Sequence, residues 1–146
     1  MSVSGNTTGT ARTVPQILAL VFGAIYLLVG IVGFFITGFS DFFAHDTGKN
    51  LLIFEINGMH NVVHIVVGVA GLVLARTLAG ARAYGWLLAV GYGAAFIYGL
   101  IAINKTWDFL SLNWADNILH LATALVGLVI ALMPVHSAVS GRSARV

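Results

Sequence analysis

Apolar residues fall in four blocks along the chain, with polar residues gathered between them. From Val14 to Thr37 there is no charge, and the polar residues are Gln16, Tyr26 and Thr37. From Tyr84 to Ile103 there is again no charge. Apolar stretches of roughly 20 residues have the length of a membrane-spanning helix. In hydrocarbon a helix satisfies its own backbone groups. The pattern therefore predicts an all-α, polytopic membrane protein with four transmembrane helices, over 15–37, 57–76, 84–103 and 115–134.

Two of these blocks open on the same polar stripe. The first reads Asn57, His60, Asn61, His64; the second reads Asn113, Asp116, Asn117, His120. The spacing i, i+3, i+4, i+7 puts each set on one helix face. A single offset carries Lys49 onto Lys105, Asn57 onto Asn113, Asn61 onto Asn117 and His64 onto His120. The same offset carries Gly71-Leu72-Val73 onto Gly127-Leu128-Val129, and Ala75 onto Ala131. Between the first and third blocks the match is thin, Gly30 over Gly99. The reading is a four-helix bundle of two pseudo-repeated helix hairpins, related by an axis along the membrane normal.

Charge adds an orientation. Arg12, Arg76, Arg82, Arg142 and Arg145 fall on one side of the predicted spans. Asp41, Asp46, Glu55, Asp108 and Asp116 fall on the other, with Lys49 and Lys105. The positive-inside rule makes the arginine side cytoplasmic, with both termini there. The sequence pI of 9.3 reflects this topology. No basic face interleaved with aromatics is present, so no nucleic-acid partner is expected. The absence of cysteine removes disulfides, thiolate chemistry and Cys-ligated metal centres. Residues 1–14 and 137–146 read as disordered cytoplasmic tails around a transmembrane domain at 15–136. The first block is too long for the apolar core of a signal peptide, and Phe34, Phe35 and Phe39 stand where a cleavage site would be. The loop Gly38 to Ile56 carries Phe42-Phe43 and Leu51-Leu52-Ile53-Phe54, which suit the interface or the bundle surface. The loop Thr77 to Ala83 is short, which predicts antiparallel neighbours at helices two and three.

Small residues predict where helices approach. Gly91, Ala95 and Gly99 line one face of helix three, and Gly68 and Gly71 open a face of helix two. Asn57 and Asn113 suit the N-cap, and Asp116 suits the positive end of a helix dipole. Glu55 reads as an interfacial carboxylate, and His45 and His136 as solvated side chains.

Capping cannot account for His64, about 10 Å further along its helix from Asn57. Under the repeat, His64 and His120 face each other, each with an Asn (Asn61, Asn117) one turn nearer the surface and His60 close by. Four readings stand. One is interhelical polar contact that holds the bundle in register. Another is a haem with His64 and His120 as axial ligands. A third is a divalent metal held by His60, His64, Asp116 and His120. The fourth is a proton-responsive or small-molecule pocket. No P-loop, dinucleotide fingerprint or nucleophile elbow occurs, so a hydrolase or nucleotide enzyme gains no support.

The run Phe54-Glu55-Ile56-Asn57-Gly58-Met59-His60-Asn61-Val62-Val63-His64, with Ala115-Asp116-Asn117-Ile118-Leu119-His120, resembles a bacterial four-helix membrane family, domain of unknown function 4383. The resemblance spans about Pro15 to Pro134, and the architecture is broadly DoxX-like. It implies a multi-pass protein of the bacterial cytoplasmic membrane and supplies no activity. The expectation is a non-enzymatic protein, either an accessory subunit of a larger complex or homo-oligomer or a small-ligand pocket in the lipid bilayer. The alternative is a redox or metal-binding protein using His64 and His120.

Overall fold

A computed structural model describes residues 11–135. Residues 1–10 and 136–146 lie outside the described residues, and with them His136, the tail expected at 137–146 and most of the tail expected at 1–14. The chain forms α1 (Val14–Thr37), a ribbon of β1 (Asn50–Leu51) and β2 (Phe54–Glu55), α2 (Gly58–Leu74), α3 (Leu78–Ala102) and α4 (Trp114–Leu132).

Each helix begins where its sequence offers a cap. Thr13 opens α1, where Gln16 Oε1 accepts from the Thr13 N–H at 3.1 Å. Asn57 opens α2 by accepting from the His60 N–H at 2.8 Å. Thr77 opens α3 by accepting from the Gly80 N–H. Asn113 and Asp116 form a reciprocal capping box at α4. The Thr77 cap starts α3 at Leu78, well before the expected Tyr84. Arg82 thus lies within the helix, and the α2–α3 turn is tighter than the sequence suggested. Gly38, at φ 70°, ends α1 in a conformation that favours glycine.

Three helices, α1, α3 and α4, are long and apolar enough to cross a membrane. α2 is apolar but has 17 residues, about 25 Å at the helical rise. Large apolar side chains cover the outside of the bundle, among them Leu28, Phe35, Val90 and Ile118. An apolar exterior around a core that contains tyrosines and histidines marks a helical membrane protein.

The dominant interfaces pair α1 with α2 and α3 with α4. Helices two and three, despite their short turn, touch far less. Missing Cβ atoms explain the choice. A Cβ on Gly71 would lie 2.6 Å from the Gly23 Cα, and one on Gly85 would lie 2.6 Å from the Ala131 nitrogen. Backbone therefore meets backbone in both pairs. On α3 the close approach uses Gly85 and Gly99. Gly91, expected on the same contact face, has nothing within 4 Å of where its Cβ would be. That position opens on a cavity rather than on a helix.

At one end the two long loops lock together. The Asn57 Nδ2 donates to the carbonyls of Ala44 and Phe109, at 2.9 and 2.8 Å. The Asn113 Nδ2 donates to the Ile53 carbonyl at 2.8 Å. The Ser111 hydroxyl donates to the Glu55 carboxylate at 2.7 Å, which ties Glu55 to the other loop. The ribbon itself, with Leu51 opposite Phe54, is absent from the sequence reading. Two residues per strand leave no periodicity to read.

Asn57→Ala should be one of the costlier surface-distant changes. It removes a cap worth about 1 kcal/mol and leaves two loop carbonyls without a donor. Asn57→Ser keeps a capping oxygen but not the amide donors. We expect thermal stability to fall in the order wild type, Asn57→Ser, Asn57→Ala in detergent melts. Equal stability of the serine and alanine variants would show that capping contributes little here.

Candidate functional site

The polar stripes of α2 and α4 turn inward, and their members separate by depth. Asn57 and Asn113 are the caps just described. Asp116 is buried, and its Oδ2 accepts from the backbone N–H of Asn113 at 3.0 Å and of Glu55 at 3.1 Å. Its carboxylate is thus engaged in holding the ribbon to the start of α4.

One turn deeper, Asn61 and Asn117 each set a side-chain amide against a glycine of the partner helix. The Asn61 amide rests against Gly33, and the Asn117 amide rests against Gly99. A Cβ at either glycine would collide with the amide. The Asn61 Nδ2 donates to the Thr37 hydroxyl at 2.9 Å. The Asn61 Oδ1 and both polar atoms of the Asn117 amide have no protein partner.

Next comes a closed ring of five aromatic side chains. Tyr26 of α1 packs on His64 with centroids 5.2 Å apart. His64 packs on His60 at 4.5 Å, and His60 on His120 at 6.1 Å. His120 packs on Tyr92 of α3 at 5.5 Å, and Tyr92 returns to Tyr26 at 5.2 Å. All four helices contribute. His64 and His120 are therefore joined through His60 on one side and through the two tyrosines on the other. The Tyr26 and Thr123 hydroxyls share a 2.6 Å hydrogen bond that links α1 to α4. The Nδ1 atoms of His60, His64 and His120 are buried and lack a protein partner, as does the Tyr92 hydroxyl. Buried polar atoms are normally paired, and each exception asks for an explanation.

The ring has space on both sides. A cavity of about 230 Å³ lies between α1 and α4, under the ribbon, with Tyr26, His60, His64, Tyr92 and His120 in its wall. A cavity of about 120 Å³ lies between α2 and α3 and shares His60, His64, Tyr92 and His120. Both are smaller than the roughly 300–1,000 Å³ of a drug-sized ligand site. A third cavity, polar and also about 230 Å³, sits among the loops beside His45, Glu55 and Asp108. Two of its three carboxylates are already in use: Asp108 accepts from the N–H groups of Leu110 and Leu112, and Glu55 from Ser111, while the third belongs to exposed Asp46.

Among the described residues, no three or more His, Asp or Glu side chains form a group that could hold a metal ion. The imidazoles pack tilted to one another, His60 at 56° to His64 and at 59° to His120, and Asp116 Oδ2 is committed to two backbone donors.

The model of a domain of unknown function, DUF4383, matches residues 16–133. This chain belongs to the DUF4383 family. No curated protein and no solved structure matches it. The DUF4383 match includes both polar stripes and all five members of the aromatic ring.

Sequence reasoning reached the histidines and missed their partners in this DUF4383 chain. The three polar residues of α1 proved to be the signal. Gln16 donates to the carbonyls of Ala75 and Arg76 at the end of α2. Tyr26 joins the ring, and Thr37 holds Asn61. A polar side chain in an otherwise apolar span is a candidate contact on that ground alone. Tyr92 of α3 could have been found the same way.

Proposed function

We propose that this protein is a four-span protein of the bacterial cytoplasmic membrane whose Tyr/His ring forms a small-ligand pocket, without enzymatic activity of its own. The observation that carries this reading is the set of buried, unpartnered Nδ1 atoms on His60, His64 and His120, beside a cavity of about 230 Å³. Interhelical polar contact would pair those nitrogens with the asparagines. The asparagine amides instead lie against Gly33 and Gly99, and no hydrogen bond joins them to the histidines. A ligand with a hydrogen-bonding group would give the imidazoles partners and recover about 1–3 kcal/mol for each buried group satisfied.

Two pseudo-repeated hairpins supply the pocket's symmetry. One offset between α1 and α3 carries Tyr26 onto Tyr92 and Gly33 onto Gly99. It also carries Gln16 onto Arg82, and each ties down the end of the partner helix, Gln16 on Ala75 and Arg82 on Met133. This register replaces the Gly30-over-Gly99 match. The two cavities become equivalent seams, α1 with α4 and α3 with α2. At 17 residues α2 sits at the short limit of a spanning helix, and local thinning of the bilayer accommodates such a length.

The arginines at the α2–α3 turn orient the bundle with both termini cytoplasmic. Cysteines placed at the exposed positions Asp46 and Thr106 should then label from outside intact cells, and one at exposed Ala79 should not. Labelling at Ala79 would reverse the orientation. Ser111 is a poor probe because it is buried against Glu55.

Native mass spectrometry of the purified chain tests the pocket. We expect one small organic molecule to be retained by the wild type and lost on His64→Phe. A Soret band, or stoichiometric zinc or copper dependent on His64 and His120, would replace this reading with the redox or metal alternative.

A further inference from the structure

Resting on that pocket reading, we propose that the ligand is a bilayer-dissolved lipid with an uncharged hydroxyl or carbonyl head, entering sideways between α1 and α4. The head would reach the imidazole nitrogens while its chain stays in the bilayer. Three features point this way. First, the mouth of the larger cavity is apolar and open to the side of the bundle. Ile25 of α1 is 50% exposed, Leu119 of α4 is 37% exposed, and both line the cavity. Second, the wall toward the loops is apolar too. The ribbon residues Leu51, Leu52 and Phe54 form it, and the ribbon is held by Asp116 and Asn113. Such a wall suits an alkyl chain better than a water-soluble ligand.

Third, the polar wall suits a neutral head. Among the described residues, no lysine or arginine lines this cavity, and the one carboxylate, Asp116, is already paired with two backbone donors. An anionic head would be buried without a counter-charge, at high cost. The imidazoles offer a neutral nitrogen that either donates or accepts, which matches a hydroxyl or carbonyl. The volume of about 230 Å³ admits a head and a short length of chain, with the remainder passing out by Ile25 and Leu119.

The α2–α3 seam carries the smaller counterpart. There Leu87 and Leu110 help line a space of about 120 Å³. The larger seam is therefore the one used.

The test is photolabelling of the full chain in liposomes. The probe is a long-chain alcohol with a diazirine beside its hydroxyl carbon. Labelled peptides should map to α1 and α4 near Ile25, Leu119 and Thr123. Excess dodecanol should suppress the label, and dodecanoate, ionised at the pH used, should not. Ile25→Trp plugs the mouth without touching the ring and should lower the label roughly tenfold, the scale of one lost polar contact. Val90→Trp, on the exposed outside of α3, should label as the wild type does. If Ile25→Trp folds poorly, Leu119→Trp serves in its place.

Equal suppression by dodecanol and dodecanoate overturns the uncharged head. Label that survives Ile25→Trp and Leu119→Trp but is lost on His64→Phe overturns side entry and leaves the pocket standing. Label indifferent to all three variants, spread along the outer helix faces, overturns the pocket reading as well.

Discussion

Gly85→Leu is expected to cost at least about 3 kcal/mol and to leave α3 and α4 unpaired in detergent. Overpacking commonly costs about 1–3 kcal/mol where side chains can give way. Here they cannot, because the intruding Cβ would meet the Ala131 nitrogen at 2.6 Å and the Gly127 carbonyl oxygen at 2.8 Å. Both are backbone atoms of a helix. Relief requires the helices to separate, which breaks the Asn117–Gly99 contact one end of the pair depends on. Gly71→Leu should behave the same way in the other pair, since its Cβ would meet the Gly23 Cα. Gly91→Ala is the matched control. Its Cβ enters open space, and alanine favours a helix over glycine by about 1 kcal/mol, so stability should hold or rise. Thermal melts followed by circular dichroism check all three. A Gly85→Leu protein as stable as wild type would mean that the α3–α4 backbone contact does not hold the bundle together.

The fold was legible where physics acts locally. Long apolar blocks with Asn57 and Asn113 at their heads gave the helices and two of their starts. The small residues Gly68 and Gly71 gave one true close approach. Gly91 failed as a contact because a stripe of small residues says that a face is open without saying what stands opposite it. Thr77 was overlooked as a cap because Arg82 looked like loop, although an arginine near a helix end can reach past it, here to the Met133 carbonyl. The histidines of the site were legible because ionisable groups are rare in apolar spans. The partners of Tyr26, Tyr92 and Thr123 were not, because a tyrosine or threonine, though visible as a polar residue in an apolar span, does not say what it meets. Their meaning depends on a register between hairpins that apolar residues, freely exchanged, do not record. The ribbon β1–β2 depends on Asn113 and Asp116, far along the chain, and no local pattern could announce it.

His64→Phe is expected to abolish ligand retention while leaving the ligand-free protein as stable as wild type or more so. Phenylalanine keeps a ring between Tyr26 and His60, so the aromatic contacts at 5.2 and 4.5 Å persist. It removes the buried, unpartnered Nδ1. Replacing an unsatisfied buried polar group by an apolar one of similar shape is neutral or stabilising. The adjoining cavities give the larger ring room. If His64 instead held helices together through polar contacts, the same change would cost roughly 1–2 kcal/mol. The two readings thus differ in sign. The deciding measurement is the melting temperature of His64→Phe against wild type, both freed of bound lipid. A pocket predicts an equal or higher value for the variant; a clear drop would contradict the pocket and make the ring a structural tie.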